Sequence, residues 1–159
     1  MKNILYIFDM RLVIQRVKDA SVHVENELIS RIGKGLLVLV GVEEGDTDQE
    51  MEWLVQKTAN LRIFADDNGV MNRSVTEING EILAVSQFTL TASTKKGNRP
   101  SYIRAATPET AVRLYDKYCN NLSQMNGGEV KKGIFGADMQ VTLTNDGPVT
   151  IIIDSKLKE

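Results

Sequence analysis

The order of apolar and polar positions changes period several times along the chain, and each change predicts an element. Leu12-Val13-Ile14-Gln15-Arg16-Val17 has strand character, and Ser21-Val22-His23-Val24-Glu25 alternates as a half-buried strand does. Glu25-Asn26-Glu27 is a turn candidate leading into Leu28-Ile29-Ser30-Arg31-Ile32. Gly33-Lys34-Gly35 breaks the chain, and the nearly continuous apolar run from Leu36 to Val42 predicts a strand buried on both faces. From Thr47 to about Phe64 the period becomes helical. Met51, Leu54, Val55, Thr58 and Leu61 share one face, and Thr47 with Glu50 has capping-box spacing. Asp66-Asp67-Asn68-Gly69 reads as a turn. Glu81 to Thr91 reads as a strand, and Ala92 to Ser101 as a polar loop.

A second helix is predicted from Thr107-Pro108-Glu109, which offers an N-cap, a first-turn proline and an acid at the positive dipole end. Ala111, Leu114, Tyr115, Tyr118, Leu122 and Met125 form its apolar face, and Asn126-Gly127-Gly128 stops it. Met139 to Leu143 and Val149 to Ile153 are predicted as two short strands, and Ser155 to Glu159 as a frayed tail. Strands in groups with two separated helices favour α+β with mostly antiparallel pairing.

At 159 residues the chain is long enough for one domain with a core, placed at residues 10–154 with 155–159 as tail. Residues 1–9 are expected to be an N-terminal extension outside the fold, because Met10-Arg11 opens a clean strand pattern; the alternative is an extra strand. Their apolar stretch is too short for a membrane span or a signal peptide, and no membrane partner is expected. A single cysteine, Cys119, cannot form an internal disulfide, which fits a reducing cytoplasm. With one His besides, the chain lacks the ligands of a structural zinc site, and neither metal nor cofactor is expected. A net charge of −2 argues against coating nucleic acid through bulk positive charge, and no DNA partner is expected; a local basic patch on one RNA end stays open.

Conventional catalytic side chains are scarce. Ser86 and Thr89 are hydroxyl candidates, but such a nucleophile needs a base within reach, and the only histidine, His23, lies in an alternating strand. Cys119 sits at the apolar edge of a helix. Power would then come from backbone N–H groups stabilising an oxyanion, for which Ser86-Gln87-Phe88-Thr89 at the end of an apolar strand is the candidate. Gly147-Pro148 between two strand-like segments is ordinarily a turn; the sharper reading is a cis bond aiming carbonyl oxygens into a pocket.

These runs occur together in a specific order. Ile14-Gln15-Arg16-Val17, Gly35 to Val42, Leu61-Arg62-Ile63-Phe64, Met71-Asn72, Ser86 to Leu90, Arg99-Pro100-Ser101, Gly136 to Val141 and Asn145 to Thr150 resemble the D-aminoacyl-tRNA deacylase family of the bacterial and eukaryotic type. The resemblance implies a layered β-β-α sandwich of mostly antiparallel, barrel-like sheets with two main helices. It implies hydrolysis of the ester between a D-amino acid, or mischarged glycine, and the 3′-terminal adenosine of tRNA, in a cytoplasmic homodimer.

By that likeness Ser86, Gln87, Phe88 and Thr89 form the catalytic pocket, with the Phe88 N–H as oxyanion donor and Gln87 positioning substrate. Gly147 and Pro148, joined by a cis bond and steadied by Arg16, would enter the partner subunit's site and exclude L side chains by collision. Phe135, Gly136, Ala137, Asp138 and Met139 would line an adenosine pocket. Lys95, Lys96 and Arg99, with Arg104, Lys131 and Lys132, are candidate phosphate contacts. Thr89 is either a nucleophile or a bystander to attack by water assisted by the ribose 2′-hydroxyl, and the lack of an evident base favours the latter. The competing readings are a non-catalytic binding module for tRNA 3′ ends and a cofactor-free small-ester hydrolase using Thr89.

Overall fold

The structure, a computed structural model, describes residues 10–159; the expectation about residues 1–9 lies outside the described residues. Its elements are β1 (Arg11–Val24), β2 (Glu27–Ile32), β3 (Gly35–Gly41), α1 (Asp48–Asn60), β4 (Phe64–Ala65), β5 (Met71–Arg73), β6 (Glu81–Ser86), a 3₁₀ turn (Phe88–Thr91), α2 (Pro108–Asn126), β7 (Lys131–Lys132) and β8 (Gln140–Asp154). The α+β class stands. Antiparallel pairing surrounds the long β1, which bonds β2, β3 and β8, while β3–β6 and β6–β7 are parallel. β4 and β5 form a separate small antiparallel sheet.

The all-apolar β3 is buried on both faces for a visible reason. Leu36, Val38 and Val40 join the large core under the helices, while Leu37 joins a second cluster with Val17, Val22, Leu83 and Val85. The helix layer is held by α1 against α2. Tyr118 is fully buried there with its hydroxyl 2.8 Å from Thr58 Oγ1. Since the Thr58 hydroxyl donates to Leu54 O, Tyr118 is the donor across the interface. Both helix starts follow the predicted chemistry. Thr47 and Glu50 make the reciprocal capping box, and Thr107 Oγ1 accepts from the Thr110 N–H with Pro108 in the first turn.

Several elements differ from expectation, three of them away from the sheet's β3–β6 rim. The helix α1 stops at Asn60, not Phe64, because Leu61 turns extended. The segment 140–154 is one strand, not two, with Gly147-Pro148 inside it. Here Gln15 opposes Thr150 and Val17 opposes Asn145, so Asp146 to Val149 bulge opposite Arg16 alone. A proline in that bulge forfeits no ladder hydrogen bond. The tail is also tied down: Ser155 is buried and exchanges hydrogen bonds with Met10, and Lys158 lies over the Trp53 ring.

Candidate active site

The strands β3 and β6 lie side by side and in parallel, so their C-terminal ends finish together at one rim of the sheet. A cavity of about 500 Å³ opens there. Its floor is Val40, Val42 and Val85, one wall is Pro108, Ala111 and Tyr115 of α2, and another is Phe135, Gly136, Ala137, Met139 and Val141. Ser86, Gln87 and Phe88 supply the polar edge. Tyr115 is fixed by donating its hydroxyl to Ala84 O at 2.7 Å, and its ring stands 6.1 Å from that of Phe135. Burial pushes the Tyr115 phenol well above its ordinary range, so it stays neutral.

The strand predicted through Thr91 ends at Ser86, and Phe88 to Thr91 coil into the 3₁₀ turn. This correction changes the chemistry available. A strand would spend its N–H groups on a neighbour, whereas the first N–H groups of a helical turn have no partner within it. The turn is held close to β3 by the Gln87 N–H, which donates to Val40 O at 2.8 Å. Gly41 permits the approach: a Cβ there would stand 2.8 Å from Leu90 Cβ. Gln87 Nε2 donates to Thr89 Oγ1, so the two side chains restrain each other. Phe88 is mostly exposed, edge-on to Tyr102 at 5.0 Å between ring centres.

Gly147 and Pro148 lie elsewhere on this chain, exposed on β8 and outside the cavity lining. Their peptide bond is cis. Arg16 reaches the bulge. Its Nε donates to Asp146 O at 2.9 Å, and its Nη1 donates to Ile63 O at 2.6 Å. Gly147 adopts φ of +129°, where a Cβ would meet Arg16 Nη2 and Val149 Cγ2 at 3.0 Å each.

Of the remaining candidates, Phe135, Gly136, Ala137 and Met139 line the cavity, while Asp138 and Thr89 do not. Lys95, Lys96 and Arg99 are exposed on the loop after the turn. Arg104 donates to Thr91 O at 3.3 Å and pairs with buried Glu43. Lys131 and Lys132 pair with Glu129 and Asp116. His23 and Cys119 are absent from the lining, and burial pushes the Cys119 thiol up to about 12, too high for a working thiolate. Sequence reasoning missed the apolar walls from Val40, Ala105, Ala106, Pro108, Ala111 and Tyr115. Ala111 and Tyr115 were visible only as members of a helix's apolar face.

The family model described as D-Tyr-tRNA(Tyr) deacylase matches residues 13–154. The chain is 59% identical to a D-aminoacyl-tRNA deacylase of Bacteroides thetaiotaomicron and 60% identical to that of Parabacteroides distasonis, in each case over 150 residues, 94% of this chain and 100% of the relative. Among solved structures it is similar to the c-Myc DNA Unwinding Element Binding Protein, with a TM-score of 0.85 and 44% identity over 90% of this chain and 97% of that one. A probable eukaryotic D-amino acid tRNA deacylase shares the fold at a TM-score of 0.78, with 20% identity over 92% of this chain and 99% of that one.

Proposed function

From the premise that the chain belongs to the D-aminoacyl-tRNA deacylase family, a family of ester hydrolases, we propose that it cleaves the ester joining a D-amino acid to the 3′-terminal adenosine of tRNA and spares L-aminoacyl-tRNA. The observation that carries this reading is the cavity itself: an apolar, nucleoside-sized space with Ser86, Gln87 and Phe88 along one edge. The terminal adenosine sits between the α2 wall and the 135–139 wall, with Asp138 at its exposed margin. The scissile carbonyl lies against the 3₁₀ turn, and the Phe88 N–H donates to the oxyanion. Gln87 positions the substrate. No histidine or thiolate lines the cavity, so the ribose 2′-hydroxyl supports the attacking water. Water adds to the carbonyl, the tetrahedral intermediate collapses, and the ribose 3′-oxygen leaves with a proton. Thr89 is a restraint on Gln87 and not a nucleophile.

The proposed active form is a cytoplasmic homodimer. Gly147-Pro148 of one subunit closes the other subunit's cavity, and its carbonyl oxygens face the substrate's α-carbon. An L side chain collides there, a D side chain points away, and glycine offers nothing to reject, so glycyl-tRNA is also a substrate. The exposure of Gly147 and Pro148, away from the cavity of their own chain, supports this arrangement. Lys95, Lys96 and Arg99 contact acceptor-stem phosphates. One solved relative carries a DNA element in its name; a concave pocket at the sheet's rim and a net charge of −2 suit a splayed RNA end better than a duplex.

The deciding experiment is deacylation of matched D-tyrosyl-tRNA and L-tyrosyl-tRNA by the purified protein. Loss of the D ester alone is expected. Retained tRNA binding without cleavage would favour a binding module, and a covalent adduct at Thr89 with a hydroxyl-directed inhibitor would favour the small-ester hydrolase.

A further inference from the structure

Beneath the 3₁₀ turn lie two arginines that the proposed chemistry does not use. Arg11 of β1 donates through Nη1 to Leu90 O at 3.3 Å, and through Nη2 to Asp154 Oδ2 at 3.1 Å. Arg104 donates through Nη2 to Thr91 O at 3.3 Å, while its Nε stands 3.6 Å from Glu43 Oε1. Both carboxylate partners are buried, with side chains 5% exposed for Asp154 and 2% for Glu43. The last carbonyls of a helical turn have no acceptor role within it, and a single turn of 3₁₀ helix is poorly self-supporting. Each of these two carbonyls nonetheless receives a cationic donor; Asp154 of β8 accepts a hydrogen bond from the Arg11 guanidinium, and buried Glu43 stands at ion-pair distance from that of Arg104.

We propose that Arg11 and Arg104 are positioning residues that clamp the carbonyl end of the turn and so aim and polarise the N–H groups at its other end. The inference deepens the assignment of residues 86–89 as the reacting edge and rests on it. An oxyanion donor is effective only when it is held at the position where charge develops. Hydrogen-bonded peptide groups also polarise one another along a chain, so a guanidinium at one end strengthens donation at the other. Gln87 N–H on Val40 O fixes the start of the turn, and the two guanidinium groups fix its end. A purely structural pair of ion bridges would be felt in stability alone.

The test compares wild type with Arg104→Lys, Arg104→Ala and Arg11→Lys. Lysine keeps the charge beside the buried carboxylate but cannot span carboxylate and carbonyl at once. Single-turnover deacylation of D-tyrosyl-tRNA should slow by roughly tenfold, less than the loss of an oxyanion donor outright, with KM within about twofold. Amide hydrogen exchange at Leu90 and Ala92, whose N–H groups close the turn on Gln87 O and Thr89 O, should accelerate. Guanidinium ion at low concentration should partly rescue Arg104→Ala. If that variant does not fold, the two lysine variants decide. A folded lysine variant with unchanged exchange and unchanged single-turnover rate would overturn the clamp. Absence of deacylation by wild type would instead overturn the proposed activity, and hydrogen exchange would still judge the clamp.

Discussion

The 3₁₀ turn at 88–91 and the bulge at 146–149 are both irregular, both polar and both held by arginine, yet they face opposite fates. The turn faces inward. It forms an edge of the cavity, Thr91 is buried, and β1, β3 and the Arg104 segment all hold it. The bulge faces outward, with Gly147 and Pro148 exposed and Arg16 reaching it from behind. The difference teaches that packing puts one irregular segment on the edge of a cavity within its own chain and leaves the other on the outer surface, away from that cavity. In the proposed reading, chemistry and chirality reside on these two features.

The largest effect that would break the comparison is expected at Gly147. A methyl group there faces a positive φ and two 3.0 Å contacts, including Arg16 Nη2. Strain of that kind amounts to about 1–3 kcal/mol. Gly147→Ala should therefore lower the D-over-L rate ratio on tyrosyl-tRNA by roughly tenfold or more, with little change in hydrogen exchange at the turn. Unchanged selectivity would remove the bulge from the site.

Next in size is the substrate's own hydroxyl. Replacing the terminal adenosine by its 2′-deoxy form should slow cleavage by about 10²-fold if the ribose supports the water. Thr89→Ala should retain activity within about fivefold, since a lost side-chain restraint is worth about 1 kcal/mol. Near-complete loss in folded Thr89→Ala would restore the nucleophile reading. A smaller effect is expected from Ala111→Leu, which places bulk into the cavity wall: KM for D-tyrosyl-tRNA should rise by about 1–2 kcal/mol in binding terms, while the D-over-L preference survives.

The smallest effect concerns the ground under the inward-facing turn. Burial, opposed by the Glu43 N–H and reinforced by the charges of Glu50 and Glu43, raises Asp46 from 3.8 to about 7. Folded Asp46 thus keeps its proton between about pH 4 and pH 7, where the unfolded chain has released it. Its contribution to stability falls as pH rises through that window and is flat above it. Glu50 has the opposite sign. Burial pushes it up, but hydrogen bonds from Lys156 and Thr47 outweigh this and hold it at about 2, so its contribution fades as pH drops below 4.5. Asp46→Asn keeps an acceptor for the Glu43 N–H and should flatten the decline in Tm between pH 4 and pH 7, gaining about 2–4 °C at pH 8. Thermal melts across that range check the sign; a steeper decline in the variant would contradict it.

Much of this architecture is local in origin, and local origin is what a sequence displays. The capping box at Thr47 and Glu50, the Thr107-Pro108 start of α2, the Glu25-Asn26 turn and the doubly buried β3 all follow from near-neighbour sterics and hydrophobic period. The runs 86–89 and 145–150 were also legible, as chemistry that a plain core strand would not need. Their conformations were not. Val85 to Leu90 has the composition of a strand, and the bonds that hold it as a turn come from distant residues: Val40 O of β3 receives the Gln87 N–H, and Arg11 and Arg104 donate to Leu90 O and Thr91 O. Proline inside β8 looked like a strand break because pairing register is a property of two strands, and it is β1 that leaves Asp146 to Val149 unopposed. The cavity walls come from residues far apart in the chain, among them Val40, Ala111 and Phe135, each ordinary core material until the packing of sheet against helix leaves a space between them.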